Sequence, residues 1–178
     1  MTLKKLNVGC GRNILAGWEN LDSYPLPGVN IVADLDACGQ TPLPLADASV
    51  DEFLLSHVME HIRNVLPMMQ ELHRIAAPDA RMVVRVPYGS SDDAFEDPTH
   101  VRQLFVGSFG YFSQPYYWRA DYGYRGDWEP VGVTLYVPGA DNGRRSDDEI
   151  WDRIAHQRNV VSEMVAELVA VMYADVRA

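Results

Sequence analysis

The chain has 178 residues, 47% of them hydrophobic and 22% charged, and 15 Lys and Arg against 25 Asp and Glu leave a formal net charge of −10. An acidic chain with scattered basic residues has no stripe to displace counterions from a phosphate backbone, so no nucleic-acid partner is expected. No apolar run approaches the roughly 20 residues of a membrane span, no apolar signal segment follows Met1, and the only cysteines are Cys10 and Cys38. These features predict a reduced, cytoplasmic protein without membrane contact.

Leu3 to Val8 reads as a short apolar strand running into the turn Gly9-Cys10-Gly11, an α/β opening. Trp18 to Asp22 and Val29 to Asp34 follow as strands, each ending in an aspartate. Val50 to His57 predicts a fourth strand. A helix from about Ile62 to Ala77 comes next, with Val65, Leu66, Met69, Leu72 and Ile75 at helical spacing and Pro78-Asp79 as its stop. Arg81 to Val86 is a fifth strand, so the centre of the chain is a strand–helix–strand unit that implies a parallel pair.

Beyond Tyr88 the composition changes: 12 of the 18 aromatic residues fall in the 41 residues from Tyr88 to Trp128, which predicts a cap. Within it Asp97-Pro98 has the form of a helix start, with a helix through about Val106 and another opening near Ser108. Trp128 to Val137 reads as a strand. Val160 to Tyr173 fits either a strand or a helix, and a strand is expected.

The chemistry concentrates in the first sixty residues. Glycines after a buried strand let backbone approach a ligand, which makes Gly9 and Gly11 candidates. A dinucleotide site needs a third glycine where Ile14 stands, so NAD or a nucleotide sugar is disfavoured. Asp22 can accept both hydroxyls of a ribose, and Asp34 can accept from an adenine amino group; neither contact needs a phosphate.

With these residues in place, the ordered segments LNVGCGRN, GWENLD, IVADLD, LPLADASVDEF and SHVMEH resemble the class I S-adenosylmethionine-dependent methyltransferases, in particular small type 11-like members with short first crossovers. The resemblance covers about residues 3 to 88. It implies a Rossmann-like α/β fold with a mostly parallel sheet, an antiparallel C-terminal strand and reduced helices on one face. It implies S-adenosyl-L-methionine as cofactor, held by Asn7, Gly9, Cys10, Gly11, Asp22, Asp34, Leu35, Ser56 and His57. The chain then reads as one domain over 1–178, with a cofactor-binding half (1–88), an aromatic cap or acceptor region (89–127) and C-terminal strands (128–178).

The segments Gly9 to Gly17 and Ser23 to Gly28 are too short for the usual crossover helices. A bare apolar sheet face is therefore expected near the first strands, covered by the aromatic segment, the C-terminal element or a second subunit, which makes a homodimer possible.

Methyl transfer from a sulfonium is a direct displacement, so a general base is needed only for a poor nucleophile. His57 and His100 are the candidate catalytic bases. Tyr88, Phe105, Tyr111, Tyr116, Tyr117 and Trp118 could line an apolar acceptor pocket, or serve as plain core.

His57-Val58-Met59-Glu60-His61 also matches H-x-x-E-H, but His57 is expected at a strand end and no third ligand follows locally, so no metal is expected. The expected activity is methyl transfer to a small molecule or sugar, on a hydroxyl or amine. The alternative is a catalytically inactive module that binds the cofactor as a sensor or partner subunit.

Overall fold

The computed structural model describes residues 3–114, 122–139 and 146–172. Seven strands form one sheet: β1 (Lys5–Val8), β2 (Glu19–Asp22), β3 (Ile31–Val32), β4 (Val50–Ser56), β5 (Ala76–Pro87), β6 (Trp128–Tyr136) and β7 (Glu163–Ala170), in the order β3-β2-β1-β4-β5-β7-β6. The first five pair in parallel, and β7 runs antiparallel to both β5 and β6. The expected α/β fold, with its mostly parallel sheet and antiparallel C-terminal region, is the one observed. Residues 163–170 are strand because burial alternates with period two: Met164, Ala166, Leu168 and Ala170 are buried between more exposed neighbours.

The core lies on one face of the sheet, where Leu6, Val8, Phe53, Leu55, Met82, Val84 and Met164 meet helix α1 (Val65–Ile75). The helix is shorter than its apolar spacing suggests. Its last carbonyls, on Arg74 and Ile75, accept from the amides of Ala48 and Ser49, and Ala76 already begins β5. On the other face, alternate positions such as Glu52, Leu54, Arg81, Val83 and Arg85 stay half-exposed or exposed, in keeping with reduced helical cover there.

At β1 and β2 the expectation of a bare apolar face is corrected. Asn7 and Asn20 stand there, both buried, and they bind the irregular crossover in place of a helix. Asn7 Nδ2 donates to Asn13 O (2.7 Å) and to Asn20 Oδ1 (2.9 Å). Asn20 in turn accepts from the Leu15 amide (3.0 Å) and donates to the Leu15 and Trp18 carbonyls. A loop with no internal hydrogen-bond ladder is satisfied by side-chain amides instead, and the cover is intramolecular.

Two further differences concern helices. No helix spans 97–106. A short helix, α2 (Asp93–Glu96), ends before Asp97, whose carboxylate accepts from the Thr99 amide (2.7 Å) in a turn. The Val101 amide then donates to Glu60 O (2.9 Å), and Leu104 bridges to Tyr88. Backbone committed to distant partners cannot close helical bonds, and only a tight 3-10 run follows, Val106–Phe112.

The second difference is a helix the sequence reading missed, α3 (Asp147–His156). Its start was visible: Ser146 and Glu149 form a reciprocal capping box, S-x-x-E. No described helix is long and apolar enough to cross a membrane.

Candidate functional site

The loops at the carboxyl ends of β1, β2, β3 and β4 meet along one edge, where open α/β sheets bind ligands. After β1 the chain turns through Gly9 (φ +62°) and Gly11 (φ +52°). A side chain at Gly9 would strike Val58, whose Cγ2 lies 2.6 Å from the position of a Cβ. Glycine at this position is thus required by the packing of Val58 as well as by the turn.

The Gly11 amide donates to Asp22 Oδ2 (2.7 Å), and the Tyr24 amide donates to Asp22 Oδ1 (3.0 Å). The carboxylate that ends β2 therefore fixes the loops after both β1 and β2. Asp34 caps the 3-10 turn Leu35–Ala37 by accepting from the Asp36 amide (2.9 Å). Asp36 then accepts from the Asn64 amide (2.7 Å), which joins this turn to the start of α1.

These elements enclose a cleft of about 380 Å³ lined by Gly9, Asp22, Asp34, Leu35, His57 and His61 together with Ser23, Tyr24, Asp36, Val58 and Ile62. Its volume is in the range of small-molecule sites. Of the residues singled out from the sequence, Gly9, Asp22, Asp34, Leu35 and His57 come together here.

Asn7, Cys10, Gly11 and Ser56 do not line it. Asn7 is buried in the asparagine latch. Cys10 is buried, and burial, followed by the Asp22 charge, pushes its thiol pKa up. Gly11 shapes the loop through its bond to Asp22, and Ser56 is the last residue of β4.

His57 follows β4 directly, as expected, with φ +56°, a conformation that a bulky residue seldom adopts. Its side chain is 49% exposed and lies between two carboxylates: Nε2 is 3.0 Å from Glu163 Oε1, and Nδ1 is 3.4 Å from Glu60 Oε1. Arg85 Nη2 also donates to both Glu163 oxygens, Oε1 at 3.0 Å and Oε2 at 2.9 Å. Glu60 first, then Glu163, raise the His57 pKa above the ordinary histidine value, against the opposing effect of burial. With both ring nitrogens facing carboxylates, a base role for His57 requires one of these contacts to open.

A second cleft, about 550 Å³, adjoins the first across His57 and is lined by Pro87, Asp93, Glu96, Asp97, Pro98 and His100. His100 thus reaches the same neighbourhood as His57 from a segment some forty residues later.

None of the segment's described Phe, Tyr or Trp side chains lines either cleft. Tyr88 packs edge-on to Phe105 (5.4 Å between centroids), and Phe109, Phe112, Tyr124 and Trp128 are buried in the core. Trp128 packs edge-on to Phe53 and donates its Nε1–H to Met69 O (3.0 Å). Tyr111 is half-exposed, and Tyr116, Tyr117 and Trp118 lie outside the described residues.

Comparison with known proteins agrees with this geometry. The family described as a methyltransferase domain matches residues 6–84. None of the curated proteins searched matches the chain.

Among solved structures, a SAM-dependent methyltransferase from Archaeoglobus fulgidus is 14% identical with a TM-score of 0.60, covering 94% of this chain and 86% of that one. The YcgJ protein from Bacillus subtilis is 12% identical with a TM-score of 0.59, covering 97% and 93%. The [4+2]-cyclase SpnF is 10% identical with a TM-score of 0.60, covering 96% and 75%. The chain therefore has a class I S-adenosylmethionine-dependent methyltransferase-like fold.

Proposed function

We propose that the chain binds S-adenosyl-L-methionine in the cleft of Gly9, Asp22 and Asp34 and directs methyl transfer to a small molecule, on a hydroxyl or amine, held in the adjoining cleft. The observation that carries this reading is the convergence of the Asp22 and Asp34 carboxylates and the glycine turn at Gly9 on one small-molecule-sized cleft bordered by His57.

The donor set suits this cofactor. Each oxygen of Asp22 uses one acceptor site on a loop amide, which leaves the others for a pair of ribose hydroxyls. Asp34 faces the same cleft with a carboxylate suited to an adenine amino group, and the acidic lining complements a cationic sulfonium. When bound, the cofactor supplies a methyl group on positively charged sulfur. The protein's part is positional: the turn at Gly9 and the capped turn at Leu35 hold the nucleoside, and His57, bordering both clefts, stands where an acceptor would approach.

His57 and His100 are the side chains proposed to contact the acceptor. A binding module without turnover is the second reading, favoured by the engagement of both His57 ring nitrogens.

Incubation with methyl-labelled cofactor and a panel of hydroxylated and amine-bearing small molecules separates the two. Label transfer that falls at least tenfold in His57→Ala supports the enzyme. Tight binding of S-adenosylhomocysteine with no label transferred to any acceptor supports the module.

A further inference from the structure

In the segment His57 to His61, His57 is held between Glu60 and Glu163, which leaves Glu60 and His61 with no third ligand at a useful spacing. The fold supplies one from elsewhere. The amide of Val101 donates to the carbonyl of Glu60 (2.9 Å), which ties the segment after β5 to the turn after β4. Next to that bond, one ligand atom from each of Glu60, His61 and His100 lies within 4.8 Å of the others. The His61 and His100 rings meet edge-on, 4.7 Å between centroids.

The state of these side chains is what singles the cluster out. Glu60 is 3% exposed, and neither carboxylate oxygen has a hydrogen-bond partner among the described residues; His57 Nδ1 lies 3.4 Å from Oε1. His100 is 8% exposed, with its Nδ1 buried and without a hydrogen-bond partner among the described residues. A buried carboxylate is expensive unless it is paired or bound to a metal ion.

The surroundings also prepare the histidines. The Thr99 hydroxyl donates its only proton to Asp97 Oδ1 (2.6 Å), so at 2.9 Å from His61 Nδ1 its oxygen can only accept. His61 therefore carries its proton on Nδ1 and leaves the Nε2 lone pair free, the arrangement an outer carboxylate or hydroxyl imposes on a metal-binding histidine. His100 turns Nε2 toward Asp97 Oδ2 (3.9 Å), which leaves Nδ1 as its open donor.

We propose that Glu60, His61 and His100 form a site for one divalent transition-metal ion of the zinc class, with its remaining coordination positions open to an oxygen ligand. Two imidazoles and one carboxylate favour such an ion over Mg²⁺ or Ca²⁺, which prefer oxygen throughout, and three protein ligands leave at least one position free. His61 borders the first cleft and His100 the second, so the ion lies between them. The oxygen ligand is a hydroxyl of the acceptor. This last assignment rests on the methyl-transfer reading; the metal site does not.

The test is a calorimetric titration of the tag-free, chelator-stripped full chain with ZnCl₂, with CoCl₂ followed in parallel by visible absorption. The expected result is one equivalent of Zn²⁺ and a Co²⁺ d–d band of imidazole coordination. Glu60→Gln and His100→Ala should each weaken Zn²⁺ by more than about 100-fold, beyond the loss of an outer partner. His156→Ala, remote on α3, should leave it unchanged.

The half-exposed His61→Ala serves as a further variant should Glu60→Gln fail to fold, and the Co²⁺ band on the unaltered chain needs no variant. No saturable Zn²⁺ binding, no such band, or affinity unchanged in the variants overturns the proposal. S-adenosylhomocysteine is titrated in the same samples: Zn²⁺ binding without nucleoside binding leaves the site standing and removes the cofactor reading, and the reverse removes only the metal.

Discussion

The two clefts that meet at His57 are built on opposite principles. In the cleft of Gly9, Asp22 and Asp34 each acidic side chain already has a backbone partner: Asp22 holds the Gly11 and Tyr24 amides, Asp34 the Asp36 amide and Asp36 the Asn64 amide. Across His57, the buried Glu60 oxygens and His100 Nδ1 have no hydrogen-bond partner among the described residues, the nearest approach being His57 Nδ1, 3.4 Å from Glu60 Oε1. Satisfied carboxylates set loop geometry before a ligand arrives, whereas unsatisfied buried groups mark a place where charge is still to be supplied. One cleft is preorganised by its own chain, and the other is completed from outside.

The preorganised side can be broken at its foundation. Asn20→Ala removes the side chain that satisfies Leu15, Trp18 and Asn7 together. It should destabilise the fold by about 3 kcal/mol, because several buried polar groups lose partners at once; denaturant unfolding measures this.

Gly9→Ala should cost about 2 kcal/mol through its left-handed backbone and the collision with Val58. The double variant with Val58→Ala should recover the steric part only, which a double-mutant cycle reads directly.

Asp22→Ala should weaken S-adenosylhomocysteine by about 1–3 kcal/mol in calorimetry, and Asp22→Asn, which keeps one acceptor oxygen, by less. The smallest effect concerns the thiols. Burial, then the Glu71 charge, pushes the Cys38 pKa up to about 11, and Cys10 is raised as well. Both remain neutral thiols at neutral pH, so a disulfide reagent should leave the folded chain untouched and label two cysteines after unfolding.

The preorganised side was also the legible one. A glycine turn after an apolar strand and an aspartate at the end of the next strand are local signals, and Gly9, Asp22 and Asp34 could be placed from them. The asparagine latch was not legible, because Asn7 and Asn20 read as ordinary strand residues until pairing sets them side by side. The same holds for the segment after Asp97: Asp-Pro has the local form of a helix start, yet the distant Glu60 carbonyl takes the Val101 amide.

The grouping of His100 with Glu60 and His61 depends on that long-range bond, so spacing along the chain could not reveal it. The aromatic segment stayed open between pocket and core for a different reason. Composition shows that Trp128 and Phe109 will be buried, but not whether core or ligand covers them.

Whether the cleft of Gly9, Asp22 and Asp34 holds a sulfonium nucleoside is decided by calorimetric titration of the full chain with S-adenosylhomocysteine. One equivalent should bind, with affinity reduced in both Asp22→Ala and Asp34→Ala and retained in His100→Ala. Absence of binding, or binding indifferent to both aspartates, would contradict this assignment.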